Sequence, residues 1–177
     1  MYPDKPLSPT ELKRLHRSWR RRSELRLSLI LDGVQKPYNV GGLLRSAAAY
    51  TVETVWAIPP TPGPDHSAVA KTALGSDRFV NWVECPSGPD AVIAAKEQGF
   101  NVVAIELTSA AAPLFTIDAG DSVCLILGHE ERGIHRDTLA AADQIGFLPQ
   151  RGKIGSLNVA QAGTVAMYEI ARQSWKS

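Results

Sequence analysis

Apolar positions along this chain fall into two alternating rhythms. Short, nearly continuous apolar runs close on turn residues: Leu27–Leu31 on Asp32-Gly33, Thr54–Ile58 on Pro59-Pro60, then Val80–Val83, Asn101–Ile105, Ser122–Leu127 and Ile145–Leu148. Runs this short and this uniformly apolar suit strands covered on both faces. Between them lie segments with helical spacing at Gly41–Tyr50, His66–Leu74, Asp90–Gln98 (stopped by Gly99), Asp137–Ala142 and Leu157–Trp175. Near the start, Ser8-Pro9-Thr10-Glu11 predicts a helix running to about Ser23, with Ser8 as N-cap and Glu11 completing a capping box. Strands alternating with helices predict an α/β domain over 27–177, a mainly parallel sheet with helices on both faces, preceded by a basic helical N-terminal arm over 1–26.

Composition narrows the class. Of 177 residues, 44% are hydrophobic and 21% charged, which is ordinary for one globular domain. Cys85 and Cys124 are too few for a disulfide framework and lie in no metal-binding spacing, so neither a structural zinc nor any other metal is expected. No apolar run nears the roughly 20 residues of a membrane span, and residues 1–26 carry charges where a secretory signal would be apolar. The expectation is a soluble, cytoplasmic protein. The net charge of +1 conceals an asymmetry: residues 1–26 hold eight Lys and Arg against Asp4, Glu11 and Glu24, a balance of +5, while eleven basic and fifteen acidic residues elsewhere give −4. A basic arm on a mildly acidic body suits a polyanionic partner, and an ordinary solvated helix has the same composition. Trp19, among Arg17, Arg20 and Arg21, could stack on a base or anchor the arm to the core.

Ligands of open α/β sheets bind beyond the carboxyl ends of the strands, which directs attention to three loops. The first, Asn39-Val40-Gly41-Gly42-Leu43-Leu44-Arg45, offers Asn39 as an N-cap and two glycines that permit close approach. Arg45 sits among apolar and small neighbours, so its guanidinium is expected to need a partner. The second, Gly128-His129-Glu130-Glu131-Arg132-Gly133, follows an apolar run and could serve as an acid/base pair or a simple turn; His129 could be a base or merely structural. In the third, Gln150 to Val159, Ser156 is the expected N-cap of the last helix, and Arg151 and Lys153 add positive charge near its free N–H groups. Neither G-x-G-x-x-G, nor a P-loop, nor G-x-S-x-G occurs, which disfavours a Rossmann dinucleotide site, an NTPase and a nucleophile-elbow hydrolase.

Taken in order and spacing, N-x-x-x-x-x-R (Asn39 to Arg45), G-x-E-x-x-G (Gly128 to Gly133) and S-L-N (Ser156 to Asn158) resemble the SpoU family of RNA ribose methyltransferases, over about Leu27 to Arg172. Residues Gly33 to Arg45 and the basic arm look most like the branch that methylates a guanosine ribose in transfer RNA. The resemblance implies S-adenosyl-L-methionine as cofactor, a C-terminal trefoil knot, and a homodimer in which catalytic groups from both subunits meet. It implies that backbone atoms of Leu107, Gly128, Leu148 and Leu157 hold the cofactor, so that no acidic ribose-binding signature is needed. It further implies that Arg45 activates the ribose hydroxyl, that Asn39 orients it, that Glu130 fixes Arg45 or Asn39, and that Ser156 and Asn158 shape the cofactor loop. Arg14, Arg17, Arg20, Arg21, Arg22, Arg151 and Lys153 are the expected RNA contacts.

The sequence departs from the family pattern at Ala160, where Ser is frequent, and at Gly41, where some tRNA-acting members carry Ser. Two other functions fit the same residues. One is ribose methylation of ribosomal RNA, and the other is a non-catalytic RNA-binding protein that keeps the fold. The second has no use for Asn39, Arg45, Glu130, Ser156 and Asn158 as a set.

Overall fold

The computed structural model describes residues 5–175, so the first four residues of the arm and the last two of the chain lie outside the described residues. Seven strands form one sheet: β1 (Arg26–Asp32), β2 (Thr54–Ile58), β3 (Asn81–Glu84), β4 (Asn101–Ile105), β5 (Ala112–Pro113), β6 (Ser122–Gly128) and β7 (Gln144–Phe147). The sheet order is β3-β2-β1-β6-β4-β7-β5 and every pairing is parallel. Six helices accompany it: α1 (Pro9–Arg20), α2 (Pro37–Ala49), α3 (Ser67–Ala73), α4 (Gly88–Glu97), α5 (Arg136–Ala141) and α6 (Val159–Ser174).

The apolar runs are continuous because both faces of the sheet are covered. Leu27, Leu29 and Leu31 of β1, with Val123, Leu125 and Leu127 of β6, face a core completed by α2, α3 and α6. Ile30 of β1, Cys124 and Ile126 of β6, and Val102 and Ala104 of β4 face a second core with α4 and Phe100. Burial pushes the Cys124 thiol well above its ordinary pKa, and this cysteine is a core residue.

Two insertions in strand order position the site. β6 enters between β1 and β4, and β7 enters between β4 and β5, although each follows its neighbours in sequence. The carboxyl ends of β1, β4, β6 and β7 are therefore gathered at one sheet edge, and the segment after β7 must return across that edge before α6 packs on α2 and β6.

Several boundaries differ from expectation for local reasons. α2 begins at Pro37, four residues before the predicted start, since proline is pre-organised for the first helical position. Asn39 therefore lies inside the helix and caps nothing; the N-cap is Lys36, without a side-chain bond. α6 starts two residues later than predicted, with Asn158 rather than Ser156 as N-cap: the Asn158 side chain accepts from the Ala160 and Gln161 N–H groups at 2.9 and 3.3 Å. α1 does carry the predicted box, with the Glu11 N–H donating to Ser8 Oγ and the Ser8 N–H donating to Glu11 Oε2. None of its residues is buried. Its end is held to the body by Trp19 against Trp175 (centroids 5.0 Å apart) and by a Ser23–Ser174 hydroxyl bond of 2.6 Å, while Arg22 covers the Trp19 ring from within the arm.

A candidate active site at the carboxyl edge of the sheet

A relay of polar side chains ties together the three segments singled out in the sequence. The Asn158 Nδ2 donates to Asn39 Oδ1 at 2.9 Å, and the Asn39 Nδ2 donates to Glu130 Oε1 at 2.7 Å. Glu130 also accepts the main-chain N–H groups of Gln35 (3.0 Å) and Lys36 (2.9 Å). One buried amide, Asn39, thus links the start of α6 to the loop after β6. Burial raises the Glu130 pKa, but the bonds from the Gln35 N–H, the Asn39 amide and the Lys36 N–H outweigh it and leave the group below its ordinary 4.5.

The loop bearing Glu130 is a tight hairpin. His129 and Gly133 exchange both main-chain hydrogen bonds, N–H of each to C=O of the other, at 3.0 and 2.9 Å. A Cβ on Gly128 would strike the Gly133 carbonyl carbon and the Ile134 nitrogen, and Gly133 has φ +70, so both glycines are required by geometry. His129 Nδ1 accepts the Glu131 and Arg132 N–H groups, at 3.0 and 3.4 Å, and so serves as a turn-former. Two further carboxylates pin the end of this hairpin: Asp32 accepts the His135 N–H at 2.8 Å and Glu106 accepts the Ile134 N–H at 3.0 Å.

Above this framework opens a cavity of about 680 Å³, a size suited to a small-molecule ligand. Leu107, Gly128, Leu148 and Leu157 all line it, as do Glu130, Ser156 and Asn158. Its apolar side includes Ile105, Phe147 and Val159, and Glu106 and His129 stand at its wall.

Not every expected residue gathers there. Arg45 does not line the cavity, is exposed, and makes no hydrogen bond or ion pair among the described residues. Its apolar neighbours force no partner on it among the described residues. Those neighbours, Leu43, Leu44 and Ala47, turn into the core, whereas Arg45 turns to solvent. Glu130 accordingly fixes Asn39 and not Arg45. A Cβ at Gly42 would touch Ala160, and the Ser46 hydroxyl bonds Thr164 at 2.7 Å, so Arg45 emerges beside the approach of α2 to the beginning of α6. Arg14, Arg17, Arg20, Arg21 and Arg22 are exposed along and just after α1; Arg151 and Lys153 are exposed on the loop whose intervening residues line the cavity. Sequence reasoning missed Glu106, although a lone acid immediately after the apolar run of β4 was a legible signal. Among the described residues no cluster of acids, histidines and cysteines forms a metal site, and no helix is long and apolar enough to cross a membrane.

An all-parallel sheet with a cavity over its carboxyl edge, backed by an amide–carboxylate relay, is the arrangement in which open α/β proteins place their ligand sites. The family model described as the SpoU rRNA Methylase family matches residues 26–168, and the chain belongs to that family. It is 34% identical over 94% of its length to the tRNA (guanosine(18)-2'-O)-methyltransferase of Escherichia coli (strain K12), spanning 72% of that protein. It is 35% identical over 83% of its length to the 23S rRNA (guanosine-2'-O-)-methyltransferase of Xanthomonas axonopodis pv. citri, spanning 59% of it. The AdoMet-bound rRNA methyltransferase of Sinorhizobium meliloti superposes with a TM-score of 0.73 at 25% identity, covering 86% of this chain and 57% of that one.

Proposed function

We propose that this protein is an S-adenosyl-L-methionine-dependent RNA 2'-O-ribose methyltransferase acting on a guanosine ribose of transfer RNA. The observation that carries the reading is the meeting of Leu107, Gly128, Leu148 and Leu157 around one cavity that Glu130 and Asn158 also line, with buried Asn39 bridging those two from behind. The residues present fit the cofactor: Gly128, Gly133, Gly152 and Gly155 leave room for a ligand to approach the main chain, and apolar residues such as Ile105, Leu107 and Phe147 offer a lining for a base. When bound, the cofactor supplies an electrophilic methyl group on a sulfonium.

The residues of this chain then divide the remaining work. Asn39, locked at both ends of its amide, orients the incoming ribose hydroxyl, and Glu130 fixes Asn39. The guanidinium of Arg45 is a planar cation with several donors, so it polarises the hydroxyl and holds the neighbouring phosphate. The proton leaves to phosphate or water. The family resemblance carries a homodimer in which groups of two protomers complete each site, and exposed Arg45 is accessible to such a partner. Strand insertion supports a trefoil knot formed by the return of residues 148–158 across the sheet edge. The exposed arginines of the arm, residues 1–26, with Arg151 and Lys153, supply the electrostatic surface for RNA, and residues 27–177 form the catalytic domain.

Incubation with labelled S-adenosyl-L-methionine and separated tRNA and rRNA, followed by nucleoside analysis, tests the proposal. The expected product is 2'-O-methylguanosine in tRNA. The same nucleoside in rRNA alone would move the substrate to the ribosome, and no incorporation would leave a binding protein.

A further inference from the structure

Among the described residues lining the cavity, two acids have no task in the reaction above, exposed Glu131 at the hairpin tip and half-buried Glu106. It follows β4 directly, and its carboxylate is held rigidly: Oε2 accepts the Ile134 N–H at 3.0 Å and Oε1 accepts the Leu107 N–H at 3.1 Å. Each carboxylate oxygen can accept two hydrogen bonds, so each keeps capacity for a further donor. Glu106 is half-buried and forms no ion pair among the described residues. A carboxylate drawn from water without a cation is costly unless donors reach it. Its neighbours are Gly133, where a Cβ would strike Oε2, and through Gly133 the wall residue Gly128. It therefore adjoins the apolar lining at Ile105 and Leu107 on one side and the hairpin that carries Glu130 on the other.

We propose that Glu106 is a specificity-determining residue that accepts hydrogen bonds from the ribose hydroxyls of the adenosyl cofactor, an inference that rests on the methyltransferase reading. The apolar lining offers the place for the base, and the transferred methyl must point toward the Asn39–Glu130 end. A ribose set between them would come within reach of the stretch of wall that includes Glu106. An acid fixed at a strand end is a general solution for a vicinal diol, and here it stands after β4 rather than after the second strand of a Rossmann unit.

Calorimetric titration of the native chain and of Glu106→Gln with S-adenosylhomocysteine and with its 2',3'-dideoxy counterpart provides the test. Removing the hydroxyls is expected to weaken binding to the native protein by about tenfold or more, as for hydrogen bonds to a charged group. For Glu106→Gln the same removal is expected to cost less than threefold, about the low end for a bond to a neutral acceptor. Both proteins are expected to bind the dideoxy compound alike. If Glu106→Gln does not fold, Glu106→Asp, which keeps the charge but withdraws it, is expected to show the same reduced dependence. An equal penalty in native and variant proteins would make Glu106 a purely structural pin of Ile134 and overturn the inference, as would a native protein indifferent to the hydroxyls. A native chain that binds no S-adenosylhomocysteine would overturn the methyltransferase reading itself.

Discussion

Asn39 shows how a single residue type can be legible in one respect and misleading in another. Its position before two glycines suggested a cap, yet its amide spans from Asn158 to Glu130 inside the protein. Nothing local distinguishes these uses, because the partners lie 119 and 91 residues away. Glu130 gives this arrangement a pH dependence. Its folded pKa lies below the ordinary 4.5, so the stability it contributes is fully present above that value and is lost as the pH falls through the folded pKa. Glu130→Gln places an NH₂ against N–H donors and should destabilise the protein by about 1–3 kcal/mol at pH 7. In urea melts, that difference should shrink as the pH is lowered below 4.5. A difference independent of pH would show that the charge of Glu130 is not what its donors stabilise.

Elements were legible wherever burial was simple. The runs in β1, β2, β4 and β6 stand out because both of their faces are covered, so no polar alternation interrupts them. β5, two residues long, has no periodicity to detect. The strand order was illegible as well, because it depends on which edge each crossover chooses and not on any residue's preference. Close helix approach, in contrast, explains a departure from the family pattern. A Cβ at Gly41 would lie 2.6 Å from Thr72 Cβ and 2.7 Å from the Val69 carbonyl oxygen, so the serine of some tRNA-acting members has no room while α3 sits here. Gly163 is also tight, but against the methyl tips of Leu43 and Leu127, which can rotate. Gly41→Ala is therefore expected to cost about 1–3 kcal/mol through overpacking against backbone, and Gly163→Ala clearly less. Chemical denaturation of the two variants checks the order, and a costlier Gly163→Ala would contradict the packing described for α2 and α3.

At the scale of the whole molecule, the basic arm and the cavity are separate devices. α1 touches the body chiefly through Trp19 and Ser23 against the end of α6, and its arginines remain exposed. Removing residues 1–22 should weaken RNA binding and flatten its dependence on salt, since fewer counterions are released, while S-adenosylhomocysteine affinity stays within a few-fold. An unchanged salt slope would exclude the arm from the RNA interface. In the proposed mechanism Arg45 acts where cofactor and RNA meet, and among the described residues it is exposed and makes no hydrogen bond or ion pair. Its removal should thus leave stability within about 0.5 kcal/mol, as for an exposed side chain. The most direct measurement is methyl transfer to tRNA by Arg45→Ala beside its affinity for S-adenosylhomocysteine. Transfer is predicted to fall by at least about a hundredfold, the usual cost of losing one charge-stabilising group, with cofactor-site affinity within a few-fold of native. Transfer that survives, or affinity that collapses with it, would contradict the placement of this guanidinium at the ribose hydroxyl.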